Sequence, residues 1–189
     1  MSRRADHHGG TAAAGGTARV SVVGLGNVLM GDDAFGPMVM KALEAAYEFP
    51  PGVTVADLGT PGLDLIPYVT GLDALVIVDT VSSTGSPGEL RLYRRDEILR
   101  TPPQPRLSPH DPGLKEALLT AEFAGDAPHE VLLVGVIAGE VRTAVGLSEA
   151  VRAAVPAAVA EVVQELGRLG VPARARAVPL ALDPWWERS

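Results

Sequence analysis

The chain has 189 residues, no cysteine and a formal charge of −7. Disulfide scaffolds, thiolate catalysis and Cys-ligated zinc are therefore excluded, and an acidic chain with no basic stripe disfavours nucleic acid as a partner. The length suits one domain that buries an ordinary core without staples.

Residues 1–18, MSRRADHHGGTAAAGGTA, are Gly/Ala-rich and nearly devoid of large apolar side chains. Such a segment cannot offset its ordering entropy, so a disordered tail is expected there. Arg3 and Arg4 are followed by no apolar stretch, which argues against a twin-arginine signal. No apolar run is long enough to cross a bilayer, and a cytoplasmic protein with no membrane partner is expected. The globular domain is placed at residues 19–172, and residues 173–189 form a C-terminal tail. Trp185 and Trp186 in that tail have three readings: packing on the body, docking a partner, or neither.

Short β-rich runs occur at 19–23, 53–56, 74–78, 89–93 and 131–137. The first, third and last are nearly all apolar, as strands of a parallel sheet buried on both faces are. Helical spacing lies between them at 35–47, 63–69, 113–124 and 148–169. The alternation predicts a single-domain three-layer α/β/α sandwich, with a twisted, mainly parallel sheet of about five strands. Ser148 is an expected N-cap of the last helix, and Pro156 is expected to kink that helix or mark a late start. The segment 94–112, charged and then proline-dense, reads either as a long functional loop and candidate partner surface or as a connector only.

The most informative stretch is Gly24-Leu25-Gly26-Asn27-Val28-Leu29-Met30-Gly31-Asp32-Asp33. It reads as a strand, a tight turn, and a helix whose entrance carries two acids. Ligand sites in open α/β sheets gather at such carboxyl ends. One carboxylate is enough to cap a helix, so Asp32 is given the turn or cap role and Asp33 the functional one. Asp79 ends the apolar run 74–78. A buried charge there needs a partner or a metal; the competing reading is a cap of the next turn. His110 lies in Ser108-Pro109-His110-Asp111-Pro112-Gly113, where two prolines stiffen the backbone around the imidazole. Two carboxylates and one imidazole make a donor set suited to nickel or zinc. Asp57 ends another strand and reads as a supporting acid or turn former. Glu140 follows the last strand with an open role, and His129 is assigned none.

Other chemistries fit poorly. Leu29 occupies the third glycine position of a Rossmann fingerprint, no phosphate-binding Gly-Lys-Ser/Thr is present, and there is no Gly-x-Ser-x-Gly elbow.

Five segments in order, GLGNVLMGDDAFG, ADLGTPGLDL, LVIVDTV, LSPHDPGL and LLVGVI with GLS, resemble the nickel-dependent hydrogenase maturation endopeptidases. The resemblance runs from about Arg19 to Gly170. It implies an enzyme that removes a C-terminal extension from the large-subunit precursor of a nickel–iron (NiFe) hydrogenase after nickel insertion. It also implies that Asp33, Asp79 and His110 are the metal-binding and catalytic positions. The nickel would be carried by the precursor, with no permanently bound metal in the enzyme. The family commonly has Glu where Asp33 stands, one methylene longer. Three other readings compete with it: a non-cleaving chaperone of the nickel-loaded precursor, a metal-dependent hydrolase of another substrate, and a nucleotide-binding module.

Overall fold

The computed structural model describes residues 18–100 and 111–188. Strands β1 (Val20–Leu25), β3 (Val53–Gly59), β4 (Ala74–Val81) and β6 (Glu130–Ile137) run parallel. Strand β5 (Leu90–Arg94) pairs antiparallel with β6 at one edge, giving the order β3-β1-β4-β6-β5. A second sheet has only two strands, β2 (Tyr47–Glu48) and β7 (Arg174–Ala175).

Side chains alternate across the sheet and divide the core in two. Val22, Val76 and Val134 face helices α1 (Phe35–Ala46) and α5 (Glu149–Arg168). Leu75, Ile77 and Leu133 face the other layer. That layer holds α2 (Ile66–Val69), α3 (Arg95–Arg100) and α4 (Asp111–Ala124). The three-layer, mainly parallel architecture expected from the sequence is the one observed.

Strands β1, β4 and β6 are buried almost throughout, which explains their unbroken apolar runs. Edge strands β3 and β5 alternate between half-buried and exposed. Helix α1 lies hard against β1. A Cβ on Gly36 would come within 2.2 Å of the Leu25 carbonyl oxygen, so only glycine fits at that crossing.

Two local expectations differ from the structure. The stretch 94–112 is not one loop: Arg95–Arg100 is helical, and Asp111 already opens α4. Asp96 and Glu97 in the first turn and Arg100 in the last favour helix there through the backbone dipole. Helix α5 passes through Pro156 from a start at Glu149, so Pro156 does not mark a late start. Ser148 is at the N-cap position but its side chain makes no capping bond.

Glu165 on α5 is buried and accepts two hydrogen bonds from Arg94, at 2.6 and 3.0 Å, and two from Arg168, at 2.9 and 2.8 Å. Burial alone would raise its pKa. The Arg168 and Arg94 bonds outweigh burial and hold the carboxyl at about 2. Because the folded value lies below the ordinary 4.5, its stabilisation is complete above that pH and is lost as pH falls toward 2. Glu165→Ala is expected to cost about 2 kcal/mol at neutral pH, since both arginines are half exposed and water partly replaces their partner. Urea unfolding of wild type and variant should show that gap closing in acid.

Candidate active site

The site is built at the carboxyl end of the parallel strands. After β1 the chain turns through Gly26, Asn27 and Val28 into a 3-10 turn, Gly31–Ala34, that feeds α1. Gly26 has φ 138°, and a Cβ there would sit 1.8 Å from the Asp33 carbonyl oxygen. Glycine at 26 is thus what allows Asp33 to fold back over the end of β1.

Asp33 is 4% exposed and Asp79 1% exposed. The Asn27 backbone N–H donates to Asp33 Oδ2 at 2.9 Å, and the Thr80 hydroxyl donates to Asp33 Oδ1 at 3.1 Å. The Thr80 backbone N–H donates to Asp79 Oδ1 at 2.7 Å. Asp33 is thus tied to β4 through the Thr80 hydroxyl, and Asp79 is the residue just before that threonine. Asp33 is not a helix cap: the N-cap position of α1 is Ala34, with no side-chain bond. Asp79 lies inside β4, two residues before its end, and accepts the backbone N–H of Thr80.

His110 lies outside the described residues. The residue after it opens α4, in the layer on the Asp79 side of the sheet. The first turn of α4 abuts the 62–65 turn, because a Cβ on Gly113 would meet the Gly62 carbonyl oxygen at 2.8 Å. Among the described residues, no cluster of three or more His, Cys, Asp or Glu side chains forms a metal cage. His129 is exposed and precedes β6, at the amino end of the sheet and away from the carboxylate pair.

Asp32 does more than the turn role expected of it. It is buried, and its Oδ2 accepts from the backbone N–H of Gly139 at 2.9 Å and of Glu140 at 3.1 Å. Ser148 donates its backbone N–H to Oδ1 at 2.7 Å and its hydroxyl to Oδ2 at 3.0 Å. This is why Ser148 does not cap its own helix. Burial pushes the Asp32 carboxyl upward, but the bonds from Ser148, Glu140 and Gly139 prevail and hold it below the usual carboxylate value. The clamp continues in the backbone, where Gly31 N–H donates to Ala144 C=O at 2.9 Å and Ala144 N–H to Leu29 C=O at 3.1 Å. Glu140 contributes its backbone to the clamp, while its side chain pairs with Arg142 at the surface.

Asp57 ends its apolar run on β3, opposite Gly24, where the register with β1 slips between Gly24 and Leu25. The Gly59 N–H donates to its Oδ1 at 2.9 Å. The side chain is open to solvent on one side. The crowded strand end nonetheless raises its pKa, and the Gly59 bond only partly offsets this. A groove of about 300 Å³ runs past Asp57 and Thr60 to Asn27 and Val28.

Two buried, hydrogen-bonded carboxylates at the carboxyl ends of parallel strands mark the place where open α/β folds bind their substrates. Comparison with known proteins narrows that description. Residues 37–165 match the family model described as hydrogenase maturation protease. The chain is 37% identical over 158 residues to the hydrogenase expression/formation protein HoxM of Azotobacter vinelandii, covering 83% of this chain and 76% of that one. It is 35% identical over 156 residues to the hydrogenase 2 maturation protease of Escherichia coli K12, covering 82% and 94%. The solved hydrogenase maturating endopeptidase HybD from E. coli superposes with a TM-score of 0.77 at 34% identity, covering 84% of this chain and 98% of that one. The chain belongs to the hydrogenase maturation protease family, and its activity class is peptidase. No helix among the described residues is long and apolar enough to cross a membrane.

Proposed function

We propose that this protein is the endopeptidase that removes the C-terminal extension of a NiFe-hydrogenase large-subunit precursor after nickel insertion. In this reading Asp33, Asp79 and His110 recognise the nickel that the precursor carries, and the reaction takes place in the cytoplasm. The observation that carries it is the burial of two carboxylates, Asp33 and Asp79, at the carboxyl ends of adjacent parallel strands, where such folds bind substrates. Two carboxylate oxygens and an imidazole nitrogen suit a borderline divalent ion with positions left for its own ligands.

The chain's residues have separable tasks. Asn27 and Thr80 donate to Asp33, which fixes the orientation of its carboxylate. The Thr80 N–H donates to Asp79 and holds one of its oxygens. A carboxylate oxygen has more than one lone pair, so accepting a hydrogen bond does not of itself bar a carboxylate from ligating a metal. Nickel held in the precursor supplies Lewis acidity next to the scissile carbonyl. A carboxylate at the same place is positioned to accept the proton of the attacking water.

The two histidines give the test of this donor set. His110→Ala is expected to lower processing of the nickel-loaded precursor by about 10²-fold or more, while His129→Ala processes at the wild-type rate. The mass of the large subunit reads the outcome. Normal processing by the His110 variant would remove it from the set.

A further inference from the structure

The C-terminal segment is tied to the body at several points. Arg176 N–H donates to Ala46 C=O at 2.8 Å and Leu180 N–H to Ala45 C=O at 2.9 Å. Glu187 pairs with Arg152 at 2.6 Å, and Asp183 pairs with Arg188. Trp186 is 6% exposed and packs into the core on the α1–α5 side. These ties hold its neighbour in place. The Trp185 ring meets the Trp186 ring edge to face, with centroids 5.8 Å apart at 89°. Trp185 itself is 61% exposed, and it lines the groove formed by Asn27, Val28, Asp57 and Thr60.

We propose that Trp185 is a substrate-positioning residue, and that the groove it walls receives the extended polypeptide of the hydrogenase precursor next to the bond that is cut. This rests on the peptidase reading given above. The occupant follows from continuity. Asn27 lines the groove, and its backbone N–H is bonded to Asp33. A chain whose scissile bond lies at the Asp33–Asp79 pair therefore has this groove as its adjoining channel. An aromatic ring fixed by its own backbone gives contact area at little cost in rotamer entropy, which is why tryptophan is enriched among residues that dominate binding. The mouth of the groove offers a further carboxylate, Asp57, and no lysine or arginine among its lining residues, so it suits an apolar or cationic side chain over an acidic one.

The test uses the full-length chain and the nickel-loaded precursor. Trp185→Ala is expected to raise KM for the precursor about tenfold, with kcat within twofold and an unchanged Tm; Trp185→Phe recovers most of the loss. The chain has two tryptophans. Trp185→Phe, which keeps only Trp186, therefore isolates the Trp185 signal by difference. Adding precursor should shield Trp185 from acrylamide and shift its emission to the blue. Cleavage by wild type with no shielding and an unchanged KM in Trp185→Ala would overturn the docking role and leave the peptidase reading standing. Shielding of Trp185 without any cleavage would support the docking role and overturn the peptidase reading. Neither shielding nor cleavage would overturn both.

Discussion

Asp79→Asn is expected to abolish processing of the hydrogenase precursor, lowering the rate by about 10³-fold or more, while the protein stays folded. The substitution keeps an oxygen that accepts the Thr80 backbone N–H, so the local hydrogen bond survives. What it removes is the negative charge, and with it the ability to serve as an anionic ligand or as a base. Asp79 is 1% exposed in a strand buried along its full length, and an amide of the same size leaves the packing of that strand in place. The variant should therefore be folded at the temperature of the assay. Asp33→Asn differs in an instructive way. Both Asp33 oxygens accept bonds, one from Asn27 and one from Thr80, and an amide has only one oxygen. That variant should lose processing and also about 1–2 kcal/mol of stability. Calorimetry alongside the processing assay separates the two. A loss of activity in Asp79→Asn that tracked a loss of folding would contradict the assignment.

The second large effect is structural. Asp32→Ala is expected to destabilise the protein by roughly 3 kcal/mol, because four donors on Gly139, Glu140 and Ser148 lose one acceptor group. Water satisfies part of that loss at Ser148, which is at the surface. Hydrogen exchange should accelerate at the Gly139, Glu140 and Ser148 amides before it does in β4. Processing should fall as well, because the clamped loop adjoins the turn that carries Asp33, and the defect should ease at lower temperature. The pH sign is fixed by the depressed carboxyl. The Asp32 contribution is present above the ordinary aspartate value of 3.8 and is lost as pH falls through its lower folded value. Wild type should thus lose its advantage over Asp32→Ala in acid.

Asp32 and Asp33 show what sequence reading reaches and where it stops. The pair stood out because two acids exceed what one helix start requires, and Asp79 stood out because an acid ends an apolar run. Both signals are local, and the carboxyl-end rule gave them meaning. The partners of Asp32 lie 107 to 116 residues away, and no local pattern points to Gly139, Glu140 or Ser148. The buried apolar strands β1, β4 and β6 were legible because burial on both faces leaves a continuous signature. The two-residue strands β2 and β7 were not, since two residues carry no periodicity and only their pairing defines them. Helix α3 was hidden because its charged residues mimic a loop; its acid-first, base-last order was the available clue. Trp186 in the core and Trp185 on the groove have opposite surroundings although they are adjacent in sequence. Composition cannot separate them, because tertiary packing decides which ring turns inward. His110 lies outside the described residues, so the sequence motif around it and the family resemblance remain its support.

The measurement that bears most directly on the central claim is processing of one large-subunit precursor prepared with and without nickel. The purified protein is added to each form and the large subunit is weighed by mass spectrometry. The account predicts loss of a C-terminal peptide from the nickel-loaded form alone. Equal cleavage of the nickel-free form would contradict recognition of the precursor's nickel by Asp33, Asp79 and His110.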